Sequence, residues 1–207
     1  MAVFGTVFMD SKIEKRFENI SRSKTFNNIV RIFGLDKKSV LDIGCSYGEF
    51  TAHFGKGSVG ITISKDEVAY GRSKGLDIRH GDIEAKDFIL EEKFDVVFAN
   101  NIFEHLYSPH DFLQRVKNYL KPNGILILGV PCIPKVVSLL RLKKFRGSLA
   151  VSHINFFTRD TLIRTVESAK WKPIMIRGFH FSNKVIDHAL DVVYPHNYVV
   201  ATPDSSS

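Results

Sequence analysis

The stretch VLDIGCSYGEF (40–50) carries two overlapping patterns that point to different chemistry. Read as Gly44-x-Ser46-x-Gly48, it fits a sharp strand–turn–helix that lifts a serine nucleophile above a sheet, with an acid and a histidine supplied later in the chain. Read as a glycine-rich loop after an apolar strand, it fits a tight turn whose main-chain atoms crowd against a nucleotide-like cofactor. Later histidines (among them His105, His110, His153, His180, His188 and His196) are available to the serine. The order of elements argues against that reading: Ser46 follows the first strand of the sheet, so no earlier strand–loop unit supplies the second oxyanion donor. The loops GDIE (81–84) and NNIFEH (100–105) would also be left without a role.

Two imidazoles stand out as proton acceptors near neutral pH. His105 sits in IFEHL, just past an apolar strand. His153, with Asn155, sits in SHINFFT before a helix. Glu104 beside His105 reads as an orienting group rather than a base.

The elements that must position these residues alternate. Apolar residues from Ile13 to Phe33 recur at three- and four-residue spacings, predicting one or two amphipathic helices within 1–36. SVLDIG is a first strand, with YGEFTAHF expected as a helix. GSVGITIS is a second strand, and KDEVAYGRSKG a polar helix closed by Gly75. LDIRHGD predicts a third strand and FDVVFAN a fourth. Ser108 as cap and Pro109 at the first helical position open the helix 108–120. KPNG reads as a turn before a fifth strand, ILILGVP. Thr158 caps a helix over 156–170, and KPIMIRGFHF and NYVVATP supply two last strands, with no full-length helix evident between them. The α/β alternation with near-continuous apolar strands predicts a Rossmann-like three-layer sandwich: a mostly parallel seven-stranded sheet with an antiparallel strand at one edge. Ligands in such a sheet sit at the carboxyl ends of the strands.

Five segments in this order, VLDIGCSYGEF, GSVGITISKDEV with GDIE, FDVVFANNIFEHL, LKPNGILILGVP and HINFFTRDTL, resemble the class I S-adenosylmethionine-dependent methyltransferases over roughly residues 38–175. The resemblance implies S-adenosyl-L-methionine as cofactor and S-adenosyl-L-homocysteine as product. It implies that Asp42, Gly44, Cys45, Ser46 and Gly48 line the methionine and ribose. Thr62, with Ile63 beside it, would face the ribose hydroxyls, Asp82 and Ile83 would hold and cover the adenine, and Asn100 would approach the methionine end. His105 and His153 become the candidate catalytic residues. The chain departs from the family twice. Ser46 replaces a glycine, at a cost of about 1 kcal/mol if the position needs a positive φ. Thr62 replaces an acid that grips the ribose, and Glu67, where a branch resembling the cyclopropane-fatty-acid synthases and tocopherol methyltransferases has glutamine, stands ready to substitute for it.

The 207 residues suit a single domain (1–207). No apolar run reaches the ~18–20 residues a membrane span needs, and MAVFGTVFMD lacks the basic start and cleavage site of a leader, so the expectation is a cytoplasmic protein. Cys45 and Cys132 fall at the ends of two strands; unless these are neighbours the Cα atoms lie roughly 9 Å or more apart, beyond disulfide reach. Without a paired Cys or His cluster, no metal is expected. Between Phe112 and Arg159 nine basic residues occur and no acid, so this stretch carries +9 while the rest of the chain sums to −2. It includes 131–153, the region expected as a substrate lid, with Lys135, Arg141, Lys143, Lys144 and Arg146. That charge suits an anionic small-molecule or carrier-linked acceptor, or peripheral contact with an anionic membrane surface. Nucleic acid ranks lower because no recognisable module for it is present. TPDSSS (202–207) reads as a flexible tail.

Overall fold

The computed structural model describes residues 2–134, 152–181 and 194–204, the first nine of them by their backbone. Two helices, α1 (Ala2–Ser21) and α2 (Lys24–Phe33), precede the first strand. Ser23 caps α2 by accepting from the Phe26 amide, and Gly34 ends it in the left-handed region at φ 62, a conformation that glycine adopts without a Cβ clash. There follow β1 (Val40–Ile43), β2 (Val59–Thr62), α3 (Lys65–Ser73), β3 (Ile78–His80), β4 (Phe94–Asn100), α4 (Pro109–Lys117), β5 (Leu120–Pro131), α5 (Arg159–Ser168), β6 (Trp171–Arg177) and β7 (His196–Pro203).

The seven strands form one sheet in the order β3-β2-β1-β4-β5-β7-β6. β1 to β5 pair in parallel, whereas β7 runs antiparallel to both β5 and β6. The edge hairpin is therefore present, with the reversed strand wedged between β5 and the outermost strand β6. Strand alternation builds the layers. Leu41, Ile43, Val97 and Ala99 pack with Phe112 of α4 and Leu162 of α5 on one face. Val40, Val96 and Phe98 pack with Phe26 and Ile29 of α2 on the other. Covered on both faces, β1 is buried at all four positions, which is why it reads as an unbroken apolar run. Trp171 is core, its indole N–H donating to the Leu113 carbonyl at 2.9 Å.

Three sequence expectations need correction. YGEFTAHF does not form an α-helix; it is a run of turns ending in a 3-10 turn at Thr51–His53. The chain must then pass hard against the neighbouring backbone, since a Cβ on Gly55 would fall 2.6 Å from the Lys38 nitrogen. KPNG is not outside the strand: β5 begins at Leu120 and takes up Asn123 (φ 64) where its register against β4 shifts, as a bulge does. Thr202 and Pro203 are not tail but strand, paired with Lys172 and Trp171. Most of the expected lid (135–151), the segment between β6 and β7, and residues 205–207 lie outside the described residues. Cys45 and Cys132 are both buried, and neither forms a disulfide among the described residues. No described helix is long and apolar enough to cross a membrane.

Candidate active site

A cleft of about 520 Å³ opens where β1, β2, β3 and β4 end. Its floor is the turn after β1, fixed by the Gly44 and Cys45 amides, which both donate to the Ile61 carbonyl at 3.0 and 3.1 Å. Gly44 has φ 75, and a Cβ there would fall 2.8 Å from Ile102 Cδ1. The glycine is needed twice, for the turn and for the contact with the opposite wall. Ser46 has φ 50, so the cost of a non-glycine residue in the left-handed region, about 1–2 kcal/mol, is present here.

Ser46 is held by what its hydroxyl contacts. It donates to Glu67 Oε1 at 3.0 Å and accepts from the Arg16 guanidinium at 3.0 Å. Its partners are thus a carboxylate and a cation, not the imidazole that a serine nucleophile requires. Arg16 also ion-pairs with Glu49, which is buried, and lies over the Tyr47 ring. Burial holds the Glu49 carboxyl above its ordinary pKa, and Arg16 opposes that rise.

Ser64–Glu67 has the spacing of a capping box, in which the third helical residue reaches back to the cap amide. Only half of the box forms. Ser64 accepts from the Glu67 amide at 3.3 Å, but the Ser64 amide is taken by Thr62 Oγ1 at 3.2 Å. The Glu67 carboxylate is thereby released toward the cleft, where Thr62 donates to its other oxygen.

After β3, Asp82 accepts from the Glu84 amide at 2.9 Å, and Glu84 accepts from the Tyr107 and Ser108 amides at 3.1 and 2.9 Å. The Glu84 carboxylate thus pins the β3 loop to the β4 loop, while Asp82 shapes the β3 loop itself. At the rim, Glu104 is buried with its Oε1 3.8 Å from His105 Nε2 and 3.9 Å from His153 Nε2. Burial raises the Glu104 pKa, and the two histidines oppose the rise. The Glu104 carbonyl accepts from the Ile154 and Asn155 amides, both at 3.0 Å, and Asn155 Nδ2 donates to the Leu106 carbonyl at 2.6 Å. This places His153 against His105, with ring centroids 4.9 Å apart.

The residues singled out in the sequence divide between the cleft and the protein beneath it. Gly44 and Ser46 after β1, Thr62, Ile63 and Glu67 after β2, Asp82 and Ile83 after β3, and His105 after β4 all line it. His153 stands behind His105 rather than in the lining. Asp42, Cys45, Gly48 and Asn100 are also outside the lining. Asp42 is buried and accepts from Thr51 Oγ1 at 2.6 Å, with burial pushing its pKa up to about 7. Cys45 packs with Val68 and Ile78, and burial raises its thiol pKa. Gly48 serves packing, since a Cβ would meet Leu76 at 2.7 Å. Asn100 is still in β4, paired with Gly129, and its Oδ1 is buried without a hydrogen-bond partner among the described residues. The chain turns one residue later, at Asn101 (φ 55), and Asn101 and Ile102 form the wall. Sequence reasoning missed Asn101, Ile102, Glu84 and Arg16. The adjacent asparagines marked the first of these, and the GDIE loop contained Glu84.

Known proteins agree with this architecture. The family model described as a methyltransferase domain matches residues 13–174. Over 109 residues the chain is 35% identical to the ubiquinone biosynthesis O-methyltransferase of Glaesserella parasuis serovar 5 (strain SH0165), a match covering 46% of each protein. The match thus spans about half the length of this curated relative. Among solved structures, an S-adenosylmethionine-dependent methyltransferase from Mesorhizobium loti superposes with a TM-score of 0.63 at 15% identity, covering 88% of this chain and 99% of that one. The glycopeptide N-methyltransferase MtfA complexed with S-adenosyl-L-methionine gives 0.61 at 13% identity, covering 87% of both. With the family model spanning most of its length and this sheet order behind it, the chain belongs to the methyltransferase domain family and carries the fold of S-adenosylmethionine-dependent methyltransferases.

Proposed function

We propose that the protein transfers a methyl group from S-adenosylmethionine to an oxygen of a small or carrier-linked anionic acceptor. The carrying observation is the Glu67 carboxylate, held by Thr62 on one oxygen and Ser46 on the other within the cleft. An ionised carboxylate has about four acceptor positions, so two remain for a pair of ribose hydroxyls. The residues present therefore fit the nucleoside although the usual acid at position 62 is missing. The cleft volume lies in the range of about 300–1,000 Å³ that suits small ligands.

In this reading Thr62 and Glu67 orient the ribose, Asp82 accepts from the adenine, and Ile63 and Ile83 cover its faces. Gly44 and Ser46 leave room for the methionine end. When bound, the cofactor supplies an electrophilic methyl carbon on a sulfonium that leaves as a neutral thioether. The acceptor hydroxyl loses its proton as its oxygen forms the new bond to that carbon. His105 is the proton acceptor: its Nδ1 lies 3.0 Å from the Ser152 carbonyl, so Nδ1 carries the ring proton and Nε2 keeps a lone pair. His153 and Glu104 orient the ring and balance the charge it gains.

An oxygen acceptor is supported by the name of the ubiquinone relative, and an anionic one by the basic residues between Lys135 and Arg146, which also suit contact with an anionic membrane surface. The test is calorimetric titration with S-adenosylhomocysteine, followed by transfer of labelled methyl from the cofactor into anionic small-molecule fractions. Absence of S-adenosylhomocysteine binding would overturn the reading.

A further inference from the structure

Glu104, His105 and His153 converge on one point at the rim of the cleft. One donor atom from each lies within 4.8 Å of the other two. The 3.8 and 3.9 Å separations between Glu104 Oε1 and the two Nε2 atoms are too long for hydrogen bonds, yet the carboxylate is removed from water: its side chain is 2% exposed and its Oε2 has no hydrogen-bond partner among the described residues. A buried carboxylate in that condition calls for a cation. The ring tautomer of His105 suits one. Its Nδ1–H is spent on the Ser152 carbonyl, the arrangement by which metal-ligating histidines are usually aimed and made more basic.

We propose that these three side chains bind one divalent transition-metal cation of the zinc or manganese type. A tetrahedral site with bonds of about 2.0–2.2 Å holds its ligand atoms about 3.3–3.5 Å apart. Shortening the two Glu104 separations by about 0.5 Å, and the histidine–histidine one, at most 4.8 Å, by up to about 1.4 Å, closes the site. Two imidazoles with one carboxylate favour such a cation over magnesium or calcium, which take oxygen ligands. Three protein ligands leave a coordination position open, as catalytic sites do and structural sites do not.

The role of the cation rests on the methyl-transfer reading and deepens it. His105 lines the cleft, so the open position faces the acceptor. In the metal-loaded protein a hydroxyl bound there is acidified and releases its proton to water, so His105, which takes the proton in the metal-free protein, serves there as a ligand. The motif is invisible as a spacing because His153 is brought in only by the Glu104 carbonyl gripping the Ile154 and Asn155 amides.

The test titrates the full chain with zinc chloride by calorimetry and with cobalt(II) by visible absorption, in parallel with S-adenosylhomocysteine in the presence of chelator. Wild type should bind one zinc ion and develop cobalt d–d bands. His105→Ala and His153→Ala should each weaken zinc binding by more than ~100-fold, because outer-shell changes alone cost 10–100-fold. Both variants carry partly exposed residues, and their circular dichroism and melting in chelator check that they fold. Wild type that binds no zinc, or folded histidine variants that bind it like wild type, overturn the proposal. S-adenosylhomocysteine binding without zinc binding removes the metal site alone. Zinc binding without S-adenosylhomocysteine binding removes the methyl-transfer reading and leaves the metal site standing.

Discussion

Thr62, the last residue of β2, and Glu67, in the first turn of α3, meet as donor and acceptor across the start of the helix. In the proposed reading of the cleft, the contact supplies the carboxylate that position 62 lacks. A carboxylate absent from the strand end returns from the next element, because Thr62 both satisfies the cap amide and fixes the side chain that would otherwise have done so.

Replacing Glu67 by alanine should weaken S-adenosylhomocysteine binding by about 1.5–3 kcal/mol, the scale of hydrogen bonds to a charged group. Lys65→Ala, one turn position away and not in the cleft lining, is the control and should bind like wild type. Calorimetry on both variants checks the order, and a larger loss with Lys65→Ala would remove Glu67 from the ribose.

Asp82→Ala should cost binding on the same scale. Glu84→Ala should act differently. It releases the Tyr107 and Ser108 amides, so it should lower the melting temperature, with about 1 kcal/mol shifting a chain of this size by roughly 2–4 °C. Thermal melts with and without S-adenosylhomocysteine separate the two effects.

Gly44→Ala forces a side chain into the left-handed region, costing about 1–2 kcal/mol, and drives its Cβ into Ile102. Melting temperature and S-adenosylhomocysteine affinity should fall together. Adding Ile102→Ala should restore part of the loss by removing the clash, and the backbone strain should remain. No recovery in the double variant would show that the contact is not what the glycine protects.

Burial raises the folded-state pKa of Asp42 to about 7, against about 3.9 for an unfolded aspartate. The folded chain therefore keeps a proton that the unfolded chain has lost, and this group's contribution falls as pH rises from about 4 to 7. Asp42→Asn, still able to accept from Thr51, should melt several degrees above wild type at pH 8 and close to it at pH 4. A constant difference across that range would contradict the assignment.

The fold was legible wherever the residues themselves decided the outcome. FDVVFAN is too rich in branched and aromatic residues to be anything but a buried strand, and Ser108–Pro109 and Thr158 mark helix starts through the amides they satisfy or spare. The site was legible through its loops, but with errors of one layer or one residue. Asp42, Cys45 and Gly48 lie in the right segment, yet support the turn from beneath: strand alternation turns Asp42 away from the cleft, Cys45 packs with Val68 and Ile78, and Gly48 makes room for Leu76. Asn100 missed by one position: which of two adjacent asparagines leaves the strand is set by the left-handed turn at Asn101, and no local pattern reports it. Arg16 and the pairing of Glu104 with His153 were out of reach, since each depends on how distant elements dock.

The reversal of β7 bears on how the molecule is made. Among the described strands β6 borders only β7, so a chain emerging from the ribosome presents Trp171–Arg177 before the strand that shelters it exists. Until His196–Pro203 follows, β5 keeps an open flank and β6 has no neighbour to join, which is the stage at which unpaired strand edges invite misassociation. The last described strand is the wedge that seals this side of the sheet, and its arrival sets the moment of closure during synthesis.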